Sequence, residues 1–391
     1  MKKVALGDVL AEARPGFACG EEDPDGVFQF RMHNVSKSSD IDLGKRRRVP
    51  RSAHRQLDHF LVEPDDVLFN ATNSPDNVGK SILVPRLDEP AVFSNHFIRL
   101  RPKAGLTSTF LWRWLQWRFQ RGEFSAICRQ WVNQATVSRE ALLASAISLP
   151  PLDEQRRIAE ILDQADRLRA IRRRAMGLAE SLRAAIFLEM FGDPGEPRAP
   201  RQTVKFGEIA ELQGGRNLVA DDSDAIAPFQ VLKISAVTAG TFKPWEAKPL
   251  PVDYIPPDAH LVRQGDLLIS RANTAELVGA VAYVDSSPPN LVLPDKIWRF
   301  VWKDPASVPL YYWALFRTPA MRRRISQLSS GTGGSMKNIS KAKLEQLELP
   351  YVDVARQDAF RRRLAAIPSP AVTEFDELFT SLQSRAFSGQ L

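Results

Sequence analysis

Cysteine is nearly missing from this chain: Cys19 and Cys128 are the only two in 391 residues, and both fall in the first half. A disulfide framework or a cysteine-rich metal site is thereby excluded, and the two thiols read as reduced groups of a cytoplasmic protein. Histidine is also scarce. The five that exist (33, 54, 59, 96 and 260) form no HxxxH or HExxH pattern and none pairs with a cysteine at metal spacing. No apolar run reaches the roughly 18 residues that a membrane span needs, and the N-terminus MKKVALGDVLAEARPG carries acidic residues where a signal peptide needs an apolar stretch. The expectation is a soluble protein with no membrane partner.

Catalytic signatures are missing too. There is no GxSxG elbow and no GxGxxG between a strand and a helix. The Asn-Pro-Pro-aromatic signature of amino-methyltransferases is absent, because SPPN (287–290) has the order reversed. VGKS (78–81) imitates a phosphate loop but has Ser74 where the motif needs glycine, and the strand-like ILVP follows it where a helix would have to begin. A β-hairpin with a structural glycine is expected there instead. The carboxylates are scattered, with no nuclease-like cluster. The chain is therefore expected to be non-catalytic and to bind no metal or cofactor of its own.

What the chain does have is itself, twice, at a spacing of about 200 residues. HLVRQGDLLISRANTAELVGAVAYVD (260–285) answers FLVEPDDVLFNATNSPDNVGKSILVP (60–85) without a gap, and VKFGEIAELQGG from Val204 answers VALGDVLAEARPG from Val4. The endings repeat as well: AISLPPLDEQ (146–155) against LELPYVDVARQ (347–357), and SLRAAIF (181–187) against SLQSRAF (381–387). Such a duplication means two copies of one module, each a globular part with a helical tail. It argues against a single active site and for a two-armed reader of something repeated or bipartite. A formal net charge of +7 makes nucleic acid the simplest polyanionic partner.

The fold class expected is mixed α/β, with boundaries 1–150, 151–192, 203–350 and 351–391. VFQFRM (27–32), DDVLFNA (65–71), GKSILVP (79–85) and HFIRLRP (96–102) read as strands, and TSTFLWRWLQWRFQRGEFSAIC (107–128) as a helix with Phe110, Trp114 and Trp117 on one side. Asp153 is the expected N-cap of a helix running to Phe191. There Leu168, Ile171, Ala175, Leu178, Leu182 and Ala185 step by 3, 4, 3, 4, 3, a coiled-coil seam, with Phe187 below it. Gly192 to Gly195 should stop this helix, with PGEPRAPRQ (194–202) as linker. Pro368 and Pro370 should split the second tail into helices near 353–366 and 372–387, the latter carrying Phe375, Leu378, Leu382 and Phe387. The two tails are expected to pair antiparallel as one spacer.

Polar loop clusters are the candidate binding groups. GKRRRVPR (44–51) holds five cations in eight residues, among them Lys45, Arg46, Arg47 and Arg48. Arg322 and Arg323 precede a glycine-rich stretch, SSGTGGSMKNIS (329–340), that offers Ser335, Lys337 and Asn338. Its counterpart CRQWVNQATVS (128–138) offers Arg129, Asn133 and Gln134, suited to guanine and adenine edges. Arg31, Asn34, Asn70, Asn73, Lys233, Arg271 and Asn273 add similar chemistry. Framework positions match between the halves while polar ones do not: Asn70 against Ser270, Ala71 against Arg271, Lys80 against Ala280. Two modules that share a scaffold but differ in their presenting loops should read two different targets.

At LPPLDEQRRIAEILDQADRL (149–168), GTGGSMKNISKAKLEQLELP (331–350) and FDELFTSLQSRAFSGQL (375–391) the chain resembles the specificity subunit of type I restriction-modification systems. The resemblance implies two tandem target-recognition domains, separated by long helices that pair as an antiparallel coiled-coil spacer. It implies a non-catalytic reader of a bipartite, interrupted double-stranded DNA site. That reader docks two methyltransferase subunits, and in a full complex restriction subunits, with S-adenosylmethionine, ATP and magnesium bound by those partners. Two other readings stay open on the residues alone: a stand-alone DNA-processing enzyme, or a protein-interaction scaffold without DNA binding.

Overall fold

Runs such as Val67-Leu68-Phe69 have no polar alternation, which a strand tolerates only when both of its faces are covered. The structure, a computed structural model, shows both covers. It describes residues 2–131, 134–195, 202–217, 227–330, 336–367 and 373–391, without side-chain detail at Lys2, Trp131 and 373–377. The described chain divides into two units, Met1–Arg173 with Ala371–Leu391, and Arg174–Pro370.

In the first unit a four-stranded antiparallel sheet runs in the order Leu10–Pro15, Phe97–Pro102, Val67–Asn70, Ser81–Leu83. Val67 and Phe69 bury into one cluster with Phe110, Leu111 and Trp114 of the helix Ser108–Gln120. Leu68, pointing the other way, buries into a second cluster with Phe28, Phe30 and Phe93. Those phenylalanines belong to a smaller sheet in which Val27–Phe30 pairs antiparallel with Arg48–Val49 and parallel with Ala91–Phe93. The helical stretch expected over 107–128 breaks at Gly122, whose φ is +70°, before a short helix Glu123–Ile127.

The second unit repeats this arrangement. Its main sheet runs Ala210–Gly214, Ile297–Trp302, Leu267–Ser270, Val281–Tyr283, and its smaller sheet holds Ala247–Pro249, Gln230–Leu232 and Leu291–Val292. The two chain ends of each module pair alike, Val4 opposite Ile147 and Val204 opposite Leu349. Gly79 has φ +95° and Gly279 has φ +73°, and a Cβ on either would collide, with Phe124 and Ile325 respectively. The glycine of VGKS is therefore a packing and turn residue, as the hairpin reading expects.

The long helix is continuous over Leu152–Phe191. It begins one residue before Asp153, so Asp153 lies in the first turn, where its charge complements the helix dipole, and is not the cap. In the second unit Asp353 does cap its helix, accepting the Arg356 N–H. The second tail forms two helices, Val354–Ala365 and Thr373–Ser388, close to the expected limits.

The compact units cut across the helical segments expected at 151–192 and 351–391. The long helix is divided between the units at Arg173, Val354–Ala365 belongs to the second, and Thr373–Ser388 to the first. The expected seam is displaced as well: Leu168, Ile171, Leu178, Leu182 and Leu378 are 51–65% exposed. Helices do pair along the spacer, through other residues. In the first unit Arg169 lies 4.2 Å over the Phe379 ring, and Ile158, Leu162, Phe379 and Phe387 share one core, with Leu382 packed against it. In the second unit Phe360 meets Phe187 and Phe191 edge-on, and Arg363 pairs with Glu189 at 3.0 Å. The partner helices are short and each cooperates with a globular core, so the side facing that core is buried instead of one unbroken stripe.

Each tail is rooted by a buried glutamine. Gln155, fully buried, accepts the Thr107 N–H at 2.9 Å and donates to the Gly105 and Pro150 carbonyls at 2.9 Å each. Gln357, 3% exposed, accepts the Val308 N–H at 3.1 Å and donates to the Val352 carbonyl at 2.8 Å. In both units the amide completes the start of the domain's main helix, capped at Thr107 or Val308. The first unit adds a buried clamp: Arg113 holds Asp163 at 2.6 Å and Asp166 at 2.8 Å. Replacing Gln155 by Ala leaves a buried amide N–H and two carbonyls without that partner. We expect Gln155→Ala to lower the stability of the first unit by about 1–3 kcal/mol in urea unfolding followed by circular dichroism, and an unchanged midpoint would contradict the assignment.

Candidate nucleic-acid interface

In the first unit three of the candidate residues meet on one small sheet. Strand Thr72–Asn73 pairs with Gln134–Thr136, which turns back onto Arg129–Trp131. Ala135 and Val137 point into the core, so the alternation of the strand turns Gln134 outward. Arg129 and Gln134 are both exposed. Thr72 and Thr136 sit opposite each other with their hydroxyls 3.2 Å apart. An exposed guanidinium and an exposed carboxamide on neighbouring strands are groups that can approach guanine and adenine edges.

The second unit assembles its counterpart from Ala272–Asn273 and Lys337–Asn338, with Asn273 opposite Lys337. Asn338 is exposed and Lys337 half-buried. Asn273 accepts the Thr274 N–H at 2.8 Å through its side-chain oxygen. Arg323 and Lys233 are exposed, and Lys233 lies 3.7 Å from Glu246. Asn133, Ser335 and the side chain of Phe375 lie outside the described residues.

Several candidates are scaffold instead. Asn70 is fully buried; it donates to the Thr72 and His96 carbonyls at 3.2 and 3.1 Å and accepts Asn73 Nδ2 at 2.6 Å. Asn73 in turn accepts the Ser74 N–H, so both ends of its amide serve the turn. Asn34, also fully buried, accepts the Arg31 N–H and donates to the Asp42 and Lys45 carbonyls. Arg31 donates to the Cys19 carbonyl at 2.8 Å, and burial beside Arg47 lowers its pKa. A short side-chain amide that can bond locally is the natural loop staple, which is why these asparagines are inside.

The basic run 44–51 is largely spent on internal contacts. Arg46 pairs with Glu89 at 2.5 Å and Asp88 at 3.4 Å, and its hydrogen bond to Glu89 raises its pKa. Arg48 pairs with Glu89 at 2.6 Å, while Arg47 bonds the Gly20 and Glu21 carbonyls. Only Lys45 and Arg46 of the candidates in this run are exposed. Arg271 is similarly engaged with Asp295 at 3.2 Å, and Arg322 donates to the Glu276 and Val278 carbonyls at 2.9 Å each, burial lowering its pKa. Among the described residues no group of three or more His, Cys, Asp or Glu is placed to hold a metal ion, and no helix is long and apolar enough to cross a membrane.

Two features escaped the sequence reading: the paired glutamines, which stood in the repeated motif endings without a role, and the buried Lys80, noted only as a contrast with Ala280. Recurrence of a glutamine at both module ends was the signal available for the first.

The sequence model of the type I restriction modification DNA specificity domain matches residues 4–175. Over 388 residues the chain is 23% identical to a putative type I restriction enzyme MjaX specificity subunit of Methanocaldococcus jannaschii, covering 93% of this chain and 85% of that protein. It is 24% identical over 357 residues to the type I restriction enzyme EcoKI specificity subunit of Escherichia coli K12, covering 84% of this chain and 75% of that one. The fold is shared with the crystal structure of a type I restriction-modification S subunit from M. genitalium, at a TM-score of 0.57 and 12% identity, over 99% of this chain and 96% of the other. In its first 175 residues by the sequence model, and along nearly its whole length by relatives of 23–24% identity, the chain is similar to the specificity subunits of type I restriction-modification systems.

Proposed function

We propose that this chain is the sequence-specific DNA reader of a type I restriction-modification complex and performs no chemistry itself. The observation that carries the reading is the pair of small sheets, one per unit, on a common scaffold with different exposed polar groups: Arg129 and Gln134 in the first, Asn338 in the second. Each unit enters a major groove with these groups, and neighbouring cations hold phosphates. Two units reading different sequences give a bipartite site with an interruption, with half-sites about one helical turn apart. The helical spacer fixes the gap and serves as the docking surface for two methyltransferase subunits, and where present for restriction subunits. Its exposed Leu168, Ile171, Leu178, Leu182 and Leu378 suit such docking. S-adenosylmethionine, ATP and magnesium belong to those partners in this reading, which also flip the target base. The complex works in the cytoplasm.

Three outcomes test this. The purified chain with DNA, magnesium and S-adenosylmethionine should neither cleave nor methylate; turnover without partners would favour a stand-alone enzyme. Four residues inserted after Arg173 and four in the second tail lengthen the spacer by about 6 Å, roughly two base pairs of axial rise, so methylome mapping should show a longer gap between unchanged half-sites. An unaltered gap would sink the ruler idea. Gln134→Ala should relax one half-site at one position by about 1–3 kcal/mol in competition binding, whereas a uniform loss across sequences would demote Gln134 to a backbone contact.

A further inference from the structure

Lys80 is 6% exposed, yet its ammonium bonds backbone carbonyls and not a carboxylate: Val35 O at 2.5 Å and Met32 O at 3.3 Å. Burying an ammonium against uncharged acceptors is costly, and burial, with added repulsion from Lys37, lowers its pKa. Such a placement needs a local reason.

The contacts supply one. The two carbonyls belong to the turn Met32–Asn34 and the residue after it, whose Met32 and His33 face solvent. On its other side Lys80 is tied by its main chain to the site: its carbonyl accepts the Asn70 N–H at 2.7 Å, and the neighbouring Gly79 N–H donates to Asn70 O at 2.8 Å. Asn70 holds Thr72 and Asn73 through its side chain, and Thr72–Asn73 carries the hairpin with Arg129 and Gln134. The Val137 N–H closes the link on Ala71 O at 2.9 Å. Lys80 thus ties the 32–35 turn, through its side chain, to the segment 70–73, through its main chain, and that segment pairs in turn with Gln134–Thr136.

The second unit has the same backbone without the key. Ser270 N–H reaches Ala280 O at 2.9 Å, Gly279 N–H reaches Ser270 O at 2.7 Å, and Ile339 N–H reaches Arg271 O at 2.9 Å. Position 280 is alanine and offers no side-chain donor to the segment 233–236. The scaffold folds without a lysine here, so the lysine answers a need peculiar to the first unit.

We propose that Lys80 is a positioning residue for sequence discrimination in the first unit, holding the 32–35 turn against the Arg129–Thr136 hairpin so that both read DNA as one rigid head. The proposal rests on the DNA-reading function proposed above. Lys80 itself makes no base contact; it sets where Met32, His33, Arg129 and Gln134 stand.

The test uses the full chain selected against a double-stranded DNA library with both half-sites randomised. The wild type should enrich a bipartite site. Lys80→Met keeps the length of the stem and removes the donors. It should reduce base preference at one half-site by roughly tenfold and leave the other intact, with Lys80→Arg recovering part of the loss. Unchanged preference at both half-sites overturns the assignment, and so does an equal loss at both, which would mark a general folding role. If Lys80→Met does not fold, Lys80→Gln, which keeps a donor and drops the charge, carries the same comparison. A wild-type chain that enriches no bipartite site removes the DNA-reading function itself, an outcome separate from wild-type selection that the Lys80 variants leave unaltered.

Discussion

A buried side-chain amide roots a helix in each unit, and the remaining architecture follows from that attachment. Gln155 and Gln357 occupy corresponding places, each satisfying a backbone N–H at the start of the domain's main helix and carbonyls at the end of its last strand region. Fully paired, such an amide is directional as an apolar contact is not, and it fixes the starting point of the helix relative to the sheet behind it. Hydrophobic burial then extends it: Ile158 and Leu162 in the first unit, Phe360 and Leu364 in the second.

The polar groups divide into two populations that composition alone does not separate. One population builds loops: Asn34, Asn70, Asn73, Arg31, Arg47 and Arg48 spend their hydrogen bonds on nearby carbonyls, amides and carboxylates. The other, with Arg129, Gln134 and Asn338, stands on the small sheets with side chains exposed. Burying an unpaired amide or guanidinium is expensive, so a polar residue in a tight turn becomes staple or presenter according to which way its strand turns it. The net positive charge therefore overstates the charge available to a polyanion.

Much of the fold could be read from the repeat. Matching segments at a constant offset gave matching sheets, the structural glycines Gly79 and Gly279 stood at equivalent turns, and the two-helix second tail followed from Pro368 and Pro370. The seam was only partly legible. Its 3–4 spacing is real, but Leu168, Ile171, Leu178 and Leu182 are exposed, because spacing identifies a face and not what covers it. The sequence named the polar stretches near 130, 337, 72 and 272 for their chemistry, and not that Gln134–Thr136 would pair with Thr72–Asn73 or Lys337–Asn338 with Ala272–Asn273. Their shared sheets depend on pairings across more than 60 positions, such as Thr72 with Thr136, which no local pattern carries.

The sequence by itself determined the duplication, much of the strand and helix content, the absence of recognisable catalytic and metal motifs, and the resemblance to type I specificity subunits, because these are properties of order and spacing along the chain. Only the tertiary structure decided which asparagines and arginines are structural, that the helix Thr373–Ser388 completes the first unit, and that Lys80 ties the 32–35 turn to the 70–73 segment. Those outcomes depend on which groups far apart in sequence become neighbours, and on whether a polar atom ends beside a partner or beside water.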